Sequence, residues 1–214
     1  MRIEQLGETA YILRDFEGQP HVLARSIELA SIPGVEEIVP SMETVGIYVN
    51  PEVFDPESLK GLKLATATRG RGFTVPVIFD GPDLAEVCQI LGMEPEFAVK
   101  AFCSQLYTVI AIGFLPGFPY LTGLPEPFKL LRRRDEPRIQ VPEGSIGIAA
   151  GQAGIYPQQS PGGWNLIGET PVKIADASKS FFPLNPGDTV RFVEIARDKL
   201  DKFRDKTILD YAND

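Results

Sequence analysis

The chain has 214 residues, 43% hydrophobic and 23% charged, the composition of a globular protein able to bury one large or two small cores. Its formal net charge of −8 argues against nucleic acid or an anionic membrane as partner, because both require a basic footprint. One histidine, His21, and two cysteines, Cys88 and Cys103, supply no soft-ligand set for zinc, and no histidine-based nucleophile unless His21 is the base.

IEQL and AYILRDF predict two strands about a turn at Gly7-Glu8. Pro20 opens a helix with Val22, Leu23, Ile27 and Ala30 on one face, and His21 near its start fits a capping or surface role. VEEIVP follows. In TVGIYVN, Val45, Ile47 and Val49 alternate with Gly46, Tyr48 and Asn50, the period of a half-buried strand. Asp55-Pro56 predicts a second helix carrying Leu59 and Leu62. Residues 1–70 therefore read as ββαββα, an α+β domain with helices on one face of a sheet. The polar stretch TATRGRG (66–72) marks the expected boundary.

FTVPVIFD predicts a strand, and Leu84, Val87, Cys88 and Leu91 give a helix that Gly92 can cap. Pro95 starts another helix, and LYTVIAIGF predicts a buried strand. Nearly half of the chain's glycines and prolines then fall between Gly113 and Pro171, interleaved with aromatic and aliphatic residues. That pattern predicts short strands and tight turns of a closed β-barrel over residues 73–196, with VKIADA and DTVRFVEIA as its last strands. Residues 197–214 carry Leu200, Phe203, Ile208 and Tyr211 at near-helical spacing, the pattern of a docked C-terminal helix. The N-terminus lacks a secretory h-region, and no apolar run is long enough to span a bilayer. With both cysteines read as buried small hydrophobes, a reducing, cytoplasmic setting is expected.

Three motifs could carry chemistry. GFLPGFPYLTGLP (113–125) combines stiffening prolines with Gly117 and the aromatic Phe114, Phe118 and Tyr120, which suit either a pocket wall or a packed loop. LLRRRDEPRIQVPEGSIGIAAG holds Arg132, Arg133, Arg134 and Arg138; of these, Arg138 is fixed between Pro137 and a strand and best suits bidentate capture of a carboxylate. GQAGIYPQQSPGGW (151–164) places Gly151 and Gly154 for close backbone approach, with Gln152, Tyr156 and Ser160 as hydrogen-bonding groups and Trp164 as an apolar wall. The same composition fits a turn-rich strand connection with a core tryptophan.

GFLPGFPYLTGL, PRIQVPEGSIGIA and GIYPQQSPGGWNLIGETP, in that order, resemble the PxpB/KipI family, also called allophanate hydrolase subunit 1. The resemblance implies a ferredoxin-like α+β domain followed by a cyclophilin-like β-barrel. It implies an ATP-dependent 5-oxoprolinase that opens the lactam of 5-oxoproline to L-glutamate. Such a hetero-oligomer pairs this chain with a PxpC-like carboxyltransferase-type subunit and a PxpA-like subunit. ATP would be bound mainly by that assembly, and no metal is expected in this chain. Arg138 would take the substrate carboxylate, backbone donors from Gly151 to Gly154 with Gln152 would face the amide oxygen, and Tyr156 and Trp164 would shape the pocket. The family also includes an inhibitor of a histidine kinase and urea or allophanate pathway subunits, which remain alternative readings. The chain departs from the family pattern at Phe102, where histidine is frequent, at Ala150 and Ala153, where glycine and threonine are frequent, and at Glu169, where arginine is common.

Overall fold

The computed structural model describes residues 1–66, 70–203 and 205–213. Residues 67–69 of the expected boundary stretch lie outside the described residues. The chain divides into two compact units, Met1–Arg69 and Gly70–Asp214.

In the first unit, β1 (Arg2–Leu6), β2 (Ala10–Arg14), β3 (Val35–Pro40) and β4 (Val45–Val49) form an antiparallel sheet of order β1-β2-β4-β3. Val45, Ile47 and Val49 are buried while Tyr48 is exposed, so the period-2 pattern reports which face meets the core. Helix α1 (Pro20–Ala30) starts at proline, buries Leu23, Ala24 and Ile27, and ends where Ser31 turns left-handed. The second helix predicted from Asp55 is only a 3-10 turn, Pro56–Leu59. Asp55 does cap it, accepting the Glu57 N–H at 3.0 Å, but Lys60 is extended and Gly61 left-handed, which ends the turn at once. Leu13, Leu23, Ile27, Val45, Ile47 and Leu59 fill the core between helix and sheet.

The second unit contains β5 (Gly72–Val77), α2 (Leu84–Leu91), α3 (Pro95–Cys103), β6 (Tyr107–Ile112), β7 (Pro119–Thr122) and α4 (Glu126–Lys129). It continues through β8 (Arg138–Val141), β9 (Ser145–Ala149), β10 (Gln152–Ile155), β11 (Ser160–Gly162), β12 (Asn165–Glu169), β13 (Thr189–Glu194) and β14 (Ala212–Asn213). Eight strands form one sheet of order β12-β9-β10-β7-β6-β13-β5-β14, and β8 pairs with β11 in a separate ribbon. The main core buries Phe73, Val75, Phe102, Tyr107, Ile146 and Phe192 among others.

The fold is mixed α and β, but the ladder does not close as a continuous barrel. Among the described residues, only the isolated bridge Ile78↔Glu169 joins the end of β5 to β12. Beyond it the chain leaves strand geometry: the Gly81 N–H reaches the Ile167 carbonyl at 3.2 Å and the Asp83 N–H reaches that of Leu166 at 3.0 Å. Pro82 between them has no N–H to donate, and a Cβ on Gly81 would lie 2.4 Å from the Leu166 oxygen. VKIADA forms no strand either. It makes isolated bridges at Lys173 and Asp176, and Asp176 turns to cap a 3-10 turn, Ala177–Lys179. The C-terminal segment docks without a continuous helix, as 3-10 turns Arg197–Lys202 and Ile208–Tyr211 followed by β14 on β5. Among the described residues, no helix is long and apolar enough to cross a membrane.

Candidate functional site

The sheet face opposite the main core, over β7, β10, β9 and β12, carries an aromatic cluster. Strands β9 and β10 are joined by Ala150 and Gly151, with φ of 49° and 77°, the pattern of a type I′ hairpin. Gly147 and Gly154 face each other across this hairpin. A Cβ on Gly154 would lie 2.5 Å from the Phe118 ring and 3.0 Å from the Trp164 ring, and one on Gly147 would lie 3.0 Å from Tyr156. The paired glycines thus make a flat floor onto which three aromatic side chains settle. Phe118 meets Tyr120, Tyr156 and Trp164 edge-on at centroid distances of 5.1, 5.2 and 5.6 Å. These contacts bury Phe118, Tyr156 and Trp164, so the rings fill the space between them. Phe114 lies outside, 59% exposed, its ring edge-on to Phe118 at 5.4 Å and its backbone held at a φ of 69°. A bulky residue in that region of φ is strained.

The β8–β11 ribbon brings the arginines to this cluster. Arg138 is paired across the ribbon with Gly162, and the Tyr156 hydroxyl lies so close to Gly162 that a Cβ there would be 2.5 Å away. Arg138 donates through Nη2 to Asp83 Oδ1 at 2.6 Å, and Arg134 Nη1 donates to the same oxygen at 2.9 Å. Asp83 Oδ2 accepts the Leu166 N–H at 2.7 Å, and Arg134 also reaches Glu86 at 2.8 Å. The Glu86 hydrogen bond, followed by the Asp83 charge, raises the Arg134 pKa above its ordinary value. Arg138 Nη1 is buried and has no hydrogen-bond partner among the described residues. Burial raises the Tyr156 pKa, while a hydrogen bond with the Trp164 backbone and the charges of Arg133 and Arg138 oppose the rise.

The family model of the carboxyltransferase domain, subdomain C and D, matches residues 1–183. The chain belongs to this carboxyltransferase-domain family. Its PxpB/KipI branch, expected from the motifs, supplies the most informative relatives. A 5-oxoprolinase subunit from Escherichia coli O157:H7 is 36% identical over 204 residues, covering 88% of this chain and 93% of that protein. The protein of the same name from Haemophilus influenzae is 35% identical over 208 residues, 90% of this chain and 97% of that one. The crystal structure of TTHA0988 superposes with a TM-score of 0.78 at 36% identity; the match covers 87% of this chain and 40% of that chain. The urea amidolyase of Saccharomyces cerevisiae is 33% identical over 124 residues, only 54% of this chain and 7% of that protein.

Within this carboxyltransferase-domain chain, the structure gathers Phe118, Tyr120, Gly154, Tyr156 and Trp164 on one sheet face. Gln152 points to that face as well, two residues before Gly154 on β10. Gly151 stands apart from the expected donor set, since its left-handed φ serves the hairpin turn. Strand β10 is paired with β9 and β7, so its N–H groups from Gln152 to Gly154 enter the ladders rather than a ligand site. Gly117 is required by packing, because a Cβ there would lie 2.4 Å from that of Ala175. Ser160 is buried and donates to the Pro161 carbonyl at 3.1 Å.

The departures from the family pattern have structural partners. Phe102 sits in the main core between Tyr107 and Phe192, each at 5.0 Å. Ala153 faces that core too, and Glu169 lies 3.4 Å from Arg197, which also pairs with Asp80. Both thiols are free; Cys88 is buried as expected, whereas Cys103 is only partly buried, and that burial raises its pKa to about 11. Sequence reading missed Asp83 because its partners lie 51 and 55 residues away and nothing local marks an acid as buried. Among the described residues, no group of three or more His, Cys, Asp or Glu could hold a metal ion.

Proposed function

We propose that the chain is the PxpB-type subunit of an ATP-dependent 5-oxoprolinase, contributing one wall of a cleft completed by other subunits. The carrying observation is likeness along nearly the whole chain to 5-oxoprolinase subunits of three bacteria, including 31% identity over 96% of this chain for the Bacillus subtilis protein. Opening a lactam requires a hydrogen-bond donor for the carbonyl oxygen as it gains negative charge, an anchor for the ring, and an activated acyl carbon. The chain offers the first two. The Arg138 guanidinium takes the substrate carboxylate, and the half-buried Gln152 side chain addresses the lactam oxygen. Exposed Phe114 and half-buried Tyr120 flank the ring, while Phe118, Tyr156 and Trp164 hold the wall rigid from behind.

The sequence holds no phosphate-cradling loop, so ATP binding and activation fall to a PxpC-like carboxyltransferase-type subunit and a PxpA-like subunit. Partnership is in keeping with a family defined by subdomains C and D of a larger domain. The first unit is the ferredoxin-like domain in this proposal, spanning 1–70, although its elements run ββαββ rather than βαββαβ. The second is the cyclophilin-like domain over 73–196, supported by the bridge that brings β5 to β12, with 197–214 as its tail. The assembly is cytoplasmic in this proposal.

A second reading, a urea or allophanate pathway subunit, has the partial likeness to urea amidolyase in its favour. Co-expression with PxpA-like and PxpC-like partners separates the two. ATP-dependent glutamate release from 5-oxoproline is expected, and an intact complex that instead hydrolyses allophanate would overturn the proposal.

A further inference from the structure

Asp83 is almost fully buried, and its carboxylate is held on both oxygens. One carboxylate oxygen is shared by the Arg138 and Arg134 guanidinium groups, and the other is fixed by the Leu166 N–H of β12. Glu86 balances Arg134, leaving Asp83 to balance Arg138. The carboxylate ties β12 to the β8–β11 ribbon and engages only the Nη2 edge of Arg138. Its Nη1 is left with no acceptor among the described residues although it is buried. A buried guanidinium N–H without an acceptor is costly, and the cost is removed if an arriving anion supplies the acceptor.

We propose that Asp83 is the positioning residue of the site, orienting the Arg138 guanidinium so that Nη1 meets the carboxylate of the substrate; this rests on the 5-oxoprolinase reading. Orientation, rather than charge, is what Asp83 supplies, because its own negative charge opposes an incoming carboxylate. The two contributions therefore predict opposite effects when the charge is removed. Losing orientation weakens carboxylate binding, whereas relieving repulsion alone strengthens it.

The test uses the assembled complex with Asp83→Asn, which keeps the side-chain shape, and with Asp83→Glu, which keeps the charge and displaces it by one methylene. Calorimetry gives Kd for 5-oxoproline and for 2-pyrrolidinone, the same ring without the carboxylate, alongside KM and kcat for glutamate release. Each variant that assembles is expected to weaken 5-oxoproline at least tenfold in Kd and KM, with kcat and 2-pyrrolidinone binding changed less than twofold. Equal losses for both ligands, an unchanged Kd, or tighter binding in Asp83→Asn would overturn the proposal. Wild-type complex that binds 5-oxoproline without releasing glutamate would overturn the 5-oxoprolinase reading and leave the Asp83 comparison to be decided by Kd. Wild-type complex that binds neither ligand would overturn both.

Discussion

Ala150 and Gly154 belong to one hairpin, and opposite substitutions there have opposite expected signs. Ala150 holds a φ of 49° at a turn position, where its Cβ is penalised and glycine is not. Ala150→Gly is expected to stabilise the protein by about 0.5–1 kcal/mol, the αL penalty less the extra backbone entropy of glycine. Gly154→Ala places a methyl 2.5 Å from the Phe118 ring in a packed cluster, and a loss of about 1–3 kcal/mol is expected. Denaturant midpoints at unchanged slope measure both. A stabilising Gly154→Ala would mean that the aromatic cluster has room to yield. The departure from the family at Ala150 is thus a matter of turn energetics. A left-handed position favours glycine, and so does close approach to a ligand, so the two causes are told apart by the backbone and not by the residue type.

The elements that sequence reading located are those specified by their own residues. Pro20, Pro95 and Gly92 bound the helices where expected, and alternation at Val45–Val49 marks a strand. β5 forms where FTVPVIFD predicts it, although its partners β13 and β14 lie more than a hundred residues away. The misplaced elements are settled by contacts that a local pattern does not show: VKIADA is drawn into isolated bridges with Thr207 and Phe181. The aromatic motifs are legible as a group, but composition leaves pocket wall and packed core both open; the structure decides for packing at Phe118, Tyr156 and Trp164, because mutual burial is a property of the folded cluster. The C-terminal strap offers a test at this scale. Asp210 accepts the Thr207 N–H at 2.8 Å, and this bond lowers its pKa from 3.8; Asp176, lowered chiefly by the Ser178 hydroxyl, caps the turn at Ala177. A carboxylate with a depressed folded pKa stabilises above its unfolded pKa and loses that contribution as pH falls through the folded value. Acidification below pH 3.8 should therefore loosen these turns first, seen as faster hydrogen exchange at Ser178 and Asp210 than in β6 or β9. Uniform exchange throughout the sheet would show that the caps do not control the strap.

For the whole molecule, each buried cluster is drawn from one unit. The cluster of Leu13, Ile47 and Leu59 contains no residue beyond the first unit, and the two clusters around Phe102 and Phe118 contain none from it. Cooperative unfolding follows shared buried surface, so two separate cores predict two transitions. Trp164 is the chain's only tryptophan and sits in the second unit, so its fluorescence reports that unit alone, whereas far-ultraviolet circular dichroism reports both. The two probes should give different denaturation profiles. Ile47→Ala, removing a fully buried side chain from the first core, should cost that unit about 2–5 kcal/mol. It should shift the part of the dichroism change that Trp164 fluorescence does not follow, while leaving the Trp164 midpoint where it was. If the fluorescence midpoint moves by the same amount, the units unfold as one, and the division at residues 69 and 70 describes packing without describing folding.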